Sequence, residues 1–147
     1  MEIVRRDAGR KFPNRRLKMI ALQVLDLLGQ GQGELSVALI GNAEIRELNA
    51  KFRKKDYATD VLSFGGGDEV PGAVKLLGDV VISVEKAEEQ ARERGLTLHA
   101  EITTLLIHGI LHLLGYDHER SAKEAQIMGR LEKKIYGELC ERGLLEV

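Results

Sequence analysis

The chain has 147 residues, a net charge of -1 and a hydrophobic fraction of 44%. This composition excludes a disordered chain, and the length predicts one domain over residues 1–147 that needs no disulfide or metal to fold. No apolar run approaches the ~20 residues of a membrane span, no apolar segment of a secretory signal is present, and Cys140 is the only cysteine. We therefore expect a cytoplasmic protein without a membrane segment.

Basic side chains concentrate at the N-terminus. Residues 1–18 hold Glu2 and Asp7 against a larger set of cations: Arg5, Arg6, Arg10, Lys11, Arg15, Arg16 and Lys18. Such a segment can contact phosphates. A solvated terminus followed by one polar helix face explains the same charges and is the interpretation that the residues alone favour.

Apolar spacing predicts alternating helices and strands in the first half of the chain. An amphipathic helix is predicted over 15–28, where Gly29 and Gly31 end it. A strand follows over 35–40. The next helix is predicted to begin with an N-cap at Asn42 and to carry Ile45, Leu48 and Phe52 on one face.

The second half continues with two strands and three helices. The strands are predicted over 61–64 and 78–83, separated by a loop that runs from Gly65 to Gly72, and a charged helix over 85–94 ends at Gly95. The helix predicted over 98–114 is apolar on all sides, which is typical of a buried helix.

The last helix, predicted over 121–139, shows one apolar stripe made by Ala125, Met128, Leu131, Ile135 and Leu139. These elements predict a mixed α/β (α+β) fold. A small mixed sheet of about four strands packs with about five helices, and the central buried helix carries the candidate metal ligands.

Three of the four histidines fall within eleven residues. His108 and His112 are four apart and project from the same helix face. Gly115 lets the chain leave the helix in a left-handed conformation, so His118 can return toward the other two. Three neutral imidazoles can fill three positions of a tetrahedral Zn²⁺ and leave the fourth open, as in catalytic zinc sites.

The alternative for these histidines is a set of core side chains that are satisfied by hydrogen bonds. Two polar rings within an apolar helix argue against it, because each unsatisfied buried group costs about 1–3 kcal/mol. His99 lies two and a half turns before His108 and is expected on the opposite side. Cys140, 22 residues after His118, is not expected to be a ligand.

The histidine spacing matches the elongated zincin motif H-E-x-x-H-x-x-G-x-x-H, in which the glutamate is the general base of a peptidase. This chain has Gly109 at the position of that glutamate. The scaffold therefore matches a zinc peptidase and the chemistry does not.

The segment from His108 to His118, HGILHLLGYDH, resembles the signature of the YbeY family of bacterial metal-dependent endoribonucleases of rRNA maturation. Leu48-Asn49 with Arg53, followed by TDVLSF at 59–64, and LGDVVIS at 77–83 resemble two further blocks of that family. The resemblance covers about half the chain, residues 45–118, in the expected order. It departs at Gly65, where the family pattern has proline.

The resemblance implies a single-strand-specific, zinc-dependent endoribonuclease that acts in rRNA maturation, including 16S rRNA 3′ end processing, and in ribosome quality control. His108, His112 and His118 would bind one Zn²⁺, and Arg53 would join them as a catalytic residue near the RNA. The implied partners are single-stranded RNA or rRNA, the small ribosomal subunit and an Era-type GTPase. Without the resemblance, Arg53 is a basic residue at a helix end, where cations suit the helix dipole.

Several alternatives stay open at this point. Asp117 and Glu119 either orient a ligand imidazole or cap the helix that begins near Ser121. Tyr116 either stacks on a base or packs the turn. The nucleophile is either water or the RNA 2′-hydroxyl. A ribosome-assembly module with a structural metal and a metallopeptidase are the two rival functions.

Overall fold

The computed structural model describes residues 1–5, 12–66 and 76–145. Within these ranges lie four strands and five helices. In chain order they are β1 (Glu2–Arg5), α1 (Asn14–Leu27), β2 (Glu34–Ile40), α2 (Asn42–Arg53), β3 (Val61–Gly65), β4 (Leu76–Ser83), α3 (Val84–Arg94), α4 (Leu98–Leu113) and α5 (Ala122–Glu141).

The four strands form one mixed sheet in the order β1-β2-β4-β3. β1, β2 and β4 run parallel, and β3 pairs with β4 in the antiparallel direction. Helix α1 connects the parallel strands β1 and β2, as a parallel connection requires a crossover. The prediction of a mixed α/β fold with about four strands and five helices is confirmed.

Successive side chains of β2 and β4 point to opposite faces of the sheet, so each face has its own apolar cluster. On one face, Val37 and Val80 belong to the large core together with residues of α1, α4 and α5. On the other face, Ile40 and Val81 pack with Ile45 of α2. The sheet is therefore covered on both faces, which accounts for the continuous apolar runs of β2 and β4.

Helix α4 is the central element predicted from its composition. Ten of its 16 residues are buried, and it contacts β3, β4, α1, α3 and α5. The Thr97 hydroxyl accepts a hydrogen bond from the Ala100 amide and caps its N-terminus. No single helix among the described residues has the length and apolar composition of a membrane span, and α3 and α4 reach them only as a pair bent by 116°.

The sequence pattern does not predict β1. Ile3 and Val4 pair in register with Val37 and Ala38, so residues 2–5 are a sheet edge and not a solvated terminus. Only two apolar residues stand between charged ones in this segment, too few for a strand signal. Of the basic residues noted near the N-terminus, Arg6, Arg10 and Lys11 lie outside the described residues.

The predicted N-cap at Asn42 is wrong, because the cap position is Gly41. The Asn42 amide donates to Glu85 Oε1 at 2.8 Å, so a carboxylate from α3 satisfies the helix N-terminus. The Asn42 side chain accepts instead from the Ser83 hydroxyl at 2.6 Å. The C-terminal end of a helix predicted at Gly95 is confirmed, with a left-handed φ of 68°.

Candidate metal centre

Three histidine side chains meet at the C-terminal end of α4. His108 and His112 lie one turn apart, and the chain leaves the helix through Gly115 at a φ of 97°. That left-handed residue returns His118 toward the helix. The three ring centroids are 5.0, 5.7 and 5.8 Å apart, and one nitrogen from each ring lies within 4.8 Å of the others.

This donor set fits a metal that prefers imidazole nitrogen, such as zinc. Among the described residues no cysteine, aspartate or glutamate joins the group, so it offers three ligands and leaves a position for a further one. Cys140 packs against the large apolar core. His99 contacts the Phe12 ring edge to face at 4.6 Å and is not part of the group.

The environment of His112 favours the form that binds metals. Burial lowers the pKa of His112 below its ordinary value, and the neighbouring His108 lowers it further. A neutral imidazole is the form that can donate its lone pair to a metal.

Glu132 of α5 contacts the histidine group. Its Oε2 lies 3.3 Å from His108 Nδ1, and both side chains are about a quarter exposed. A carboxylate that accepts from Nδ1–H leaves Nε2 as the nitrogen with a free lone pair. The sequence interpretation did not include Glu132, although a signal exists: it lies four residues after Met128 on the buried stripe of α5, where a carboxylate is unusual.

The acidic residues Asp117 and Glu119 flank His118 and are joined to each other by a hydrogen bond. Asp117 Oδ1 accepts from the Glu119 amide at 2.8 Å, and Oδ2 lies 3.3 Å from Arg120. The amide hydrogen bond is the main cause that lowers the pKa of Asp117. Glu119 Oε1 is 3.8 Å from His118 Nε2, which is too long for a hydrogen bond. Ser121 caps α5 by accepting from the Glu124 amide, and Tyr116 packs the turn against the core.

The histidine group opens into a cleft of about 560 Å³ between α4, α5 and the loop that joins α2 to β3. Six charged side chains other than the histidines line this cleft among the described residues. The cations are Arg53, Lys55 and Arg94, and the carboxylates are Asp60, Glu119 and Glu132. The described wall of the cleft is therefore electrically balanced when no metal is bound.

Arg53 stands at the last residue of α2 and lines the cleft, close enough to His112 for its charge to lower the pKa of that ring. The loop beyond it is fixed by the buried Asn49. The Asn49 side-chain amide donates to the Tyr57 carbonyl at 2.9 Å, and the Asn49 backbone carbonyl accepts from the Lys55 amide at 3.2 Å. Lys54 turns the chain with a φ of 57°.

Arg94 lines the cleft from the end of α3. Its Nη1 donates to Glu101 Oε1 at 3.1 Å, and the Glu101 side chain is fully buried in α4. Burial is the main cause that raises the pKa of Glu101, and the charge of Arg94 opposes it. Neither residue figures in the sequence interpretation, because their pairing joins two different helices.

Gly109 packs against the sheet. A Cβ at this position would lie 2.6 Å from Val80 Cγ1 and 3.2 Å from Ser63 Oγ. The Ser63 hydroxyl donates to the Gly109 carbonyl at 2.9 Å, which ties α4 to β3. A glutamate here would collide with Val80 of the sheet, which gives a physical reason for a glycine at the position of the peptidase base.

Two other sequence features fall outside this site. Arg15, Arg16 and Lys18 lie on α1 and do not line the cleft. The glycine-rich loop predicted from Gly65 to Gly72 is described only through Gly66, and residues 67–72 lie outside the described ranges.

Comparisons with known proteins identify relatives along nearly the whole chain. The family model described as Endoribonuclease YbeY matches residues 2–140. A protein of a Sulfurihydrogenibium species named Endoribonuclease YbeY is 45% identical over 141 residues, which are 95% of this chain and 90% of the relative. The protein of the same name from Aquifex aeolicus is 48% identical over 132 residues, covering 90% and 87% of the two chains.

A solved structure shares the fold. The solution structure of TM1509 from Thermotoga maritima aligns with a TM-score of 0.61 at 28% sequence identity, and the alignment covers 98% of this chain and 95% of that one. The family match over residues 2–140 and the identities above 40% show that the chain belongs to the endoribonuclease YbeY family.

Proposed function

We propose that this chain is a zinc-dependent endoribonuclease that cleaves single-stranded rRNA during ribosome maturation, including the 3′ end of 16S rRNA, and contributes to ribosome quality control. Membership of an endoribonuclease family supports the cleavage of RNA. The observation that carries the proposal is the group of three imidazoles that opens into a cleft with Arg53 and Lys55. We expect the protein to act in the cytoplasm, with the small ribosomal subunit and an Era-type GTPase as partners.

His108, His112 and His118 would hold the zinc ion. When bound, zinc supplies Lewis acidity toward a phosphoryl oxygen and lowers the pKa of a water ligand. Because imidazoles are neutral ligands, the full positive charge of the ion stays available to the substrate. Glu132 orients the His108 ring through Nδ1.

Arg53 contributes a planar guanidinium that binds two oxygens of a phosphate and offsets the negative charge that develops in the transition state. Lys55 adds a second cation on the loop that follows α2. Asn49 holds that loop against α2 through the Tyr57 carbonyl and the Lys55 amide. The phosphate-binding groups therefore stand on a fixed backbone beside the histidines.

A preference for single strands fits the same cleft. The Tyr57 ring lines it and is 54% exposed. Unpaired bases can turn outward and stack on such a ring, whereas paired bases in an A-form duplex are not accessible in this way.

The test is cleavage of a single-stranded rRNA fragment by the purified, zinc-loaded protein. Two variants run beside it: His112→Ala removes one metal ligand, and Arg53→Ala removes the phosphate contact. We expect no cleavage above background for His112→Ala and a loss of roughly 100-fold in kcat for Arg53→Ala. Arg130→Ala, an exposed arginine of α5 away from the cleft, is the matched control and should cleave like the wild type.

Equal cleavage by the wild type and His112→Ala would assign the activity to a contaminating nuclease and refute the proposal. RNA binding that survives His112→Ala while no protein cleaves would favour the ribosome-assembly module with a structural metal. Cleavage of an unfolded polypeptide would favour the peptidase, against the position of Gly109.

A further inference from the structure

A second depression adjoins the cleft on the other side of Glu132. It is an apolar groove of about 540 Å³ between α4, α5 and the loop that joins α3 to α4. We call it the α4–α5 groove and define it by its lining residues. These are Leu96, Thr104, Ile107, Gly129, Glu132, Lys133, Tyr136 and Gly137.

The groove borders the cleft. Thr104 and Glu132 line both spaces, so the two depressions are neighbours that share these two side chains. Nothing in the chemistry of the three histidines uses this space. Because the groove borders the cleft, it would lie beside an RNA strand bound at the histidines.

The walls of the groove suit a flat, largely apolar ring. Leu96 is 47% exposed there although it is a leucine, and Ile107 forms part of the floor. Tyr136 is half-buried, packs against the core and lines the groove. A tyrosine in this state offers a ring for stacking and a polar group for a ring edge.

The polar groups stand at the two edges of the groove. Lys133 is exposed at the rim, where its ammonium can meet a backbone phosphate. Glu132 uses Oε2 toward His108, which leaves Oε1 free to accept from the N–H groups of a base. An apolar middle, an acceptor on the inner edge and a cation on the outer edge match one nucleotide of a single strand.

We propose that the α4–α5 groove binds a nucleobase of the RNA strand, next to the phosphate held in the cleft. The proposal rests on the proposed function for the presence of RNA in the cleft. Base stacking of this kind contributes about 5- to 150-fold in affinity. The groove would thus supply binding from a part of the substrate that does not react.

Two glycines of α5 allow the groove to be filled without disturbing the fold. A Cβ at Gly129 or Gly137 would meet no atom within 4 Å, and both positions are inside a helix at ordinary backbone angles. Gly137→Leu therefore occupies the groove and improves helix propensity. Gln126→Leu, an exposed position of the same helix outside the groove, is the matched control.

The experiment measures binding of a labelled single-stranded RNA to the zinc-loaded proteins by fluorescence anisotropy, together with KM and kcat for cleavage. We expect Gly137→Leu to weaken binding and raise KM by at least fivefold with a small change in kcat, while Gln126→Leu stays at the wild-type value. The same measurements are made with RNAs that carry one abasic site, placed at a different position in each RNA. When the abasic site is at the nucleotide that enters the groove, the wild type should bind this RNA as weakly as Gly137→Leu binds the intact RNA.

Wild-type affinity and KM for Gly137→Leu would overturn the proposal, and so would a loss that no abasic position reproduces, which would point to a protein ligand in the groove. Failure of the proposed function is distinguishable from either result. In that case the wild type does not cleave RNA at all, and anisotropy still reports whether the filled groove changes RNA binding.

Discussion

Replacing Glu132 with glutamine tests whether this carboxylate positions a metal ligand. Glutamine keeps the size of the side chain and one oxygen acceptor, so Glu132→Gln removes only the charge of the group that faces His108 Nδ1. The free energy of a hydrogen bond to a charged acceptor exceeds that of a neutral one by about 1 kcal/mol. Loss of a carboxylate behind a metal-bound histidine lowers metal affinity about 10- to 100-fold.

The structure selects the lower end of this range. The His108–Glu132 distance of 3.3 Å is long for a hydrogen bond, and water reaches both side chains because each is about a quarter exposed. We therefore expect the zinc dissociation constant of Glu132→Gln to rise about tenfold, or about 1.4 kcal/mol. The melting temperature of the metal-free protein should stay near the wild-type value.

The assay is competition for zinc between the protein and a chromophoric chelator at fixed pH and salt. Glu119→Gln is the matched control, because Glu119 lines the same cleft but lies 3.8 Å from His118, beyond hydrogen-bond distance. It should change the dissociation constant less than about twofold. Equal effects of the two variants would refute the positioning role and leave only the loss of a nearby negative charge.

Three further predictions concern packing, charge and pH. Gly109→Ala should lower the free energy of unfolding by about 1 kcal/mol, because the added methyl group meets Val80. Gly129→Ala should raise the free energy of unfolding by up to about 1 kcal/mol, because a Cβ there meets no atom within 4 Å and alanine favours the helix. Urea denaturation of both variants measures the two opposite changes. Removal of the metal should weaken RNA binding by roughly tenfold or more, since the described cleft wall is then balanced in charge; anisotropy with and without a chelator measures it, and unchanged affinity would contradict it. Burial raises the pKa of Glu101, so the folded state holds this proton more tightly than the unfolded state, and stability contributed by the group is lost as pH rises above about 4.5. The wild type should accordingly lose free energy of unfolding relative to Glu101→Gln over that rise, and parallel curves would contradict the sign.

Local patterns predict most of the fold because most elements carry a local signal. α4 is apolar on all sides, α5 has a regular stripe, and Gly95 and Gly115 end their helices with positive φ. β1 escapes prediction because its stability comes from the parallel partner β2, which lies more than thirty residues away along the chain. The N-cap at Asn42 fails for a similar reason, since Glu85 comes from another helix.

The candidate site divides in the same way. The spacing of His108, His112 and His118 around Gly115 is local, and the structure brings these side chains together. Their surroundings are not local: Glu132 follows His108 by 24 residues, and Arg94 meets Glu101 across a helix junction. No spacing rule connects such pairs. A carboxylate on the apolar stripe of α5 nevertheless indicates that Glu132 is a candidate functional residue.

The contact between Gly109 and the sheet also limits what this fold can evolve into. The step from RNA to peptide hydrolysis would begin with Gly109→Glu, and that change would push α4 away from Val80 and Ser63 before any new chemistry appeared. A gradual route would first need smaller side chains on β3 and β4 to make room. In this chain, the width of the helix–sheet interface at Gly109 thus excludes a side chain at the position of the peptidase base.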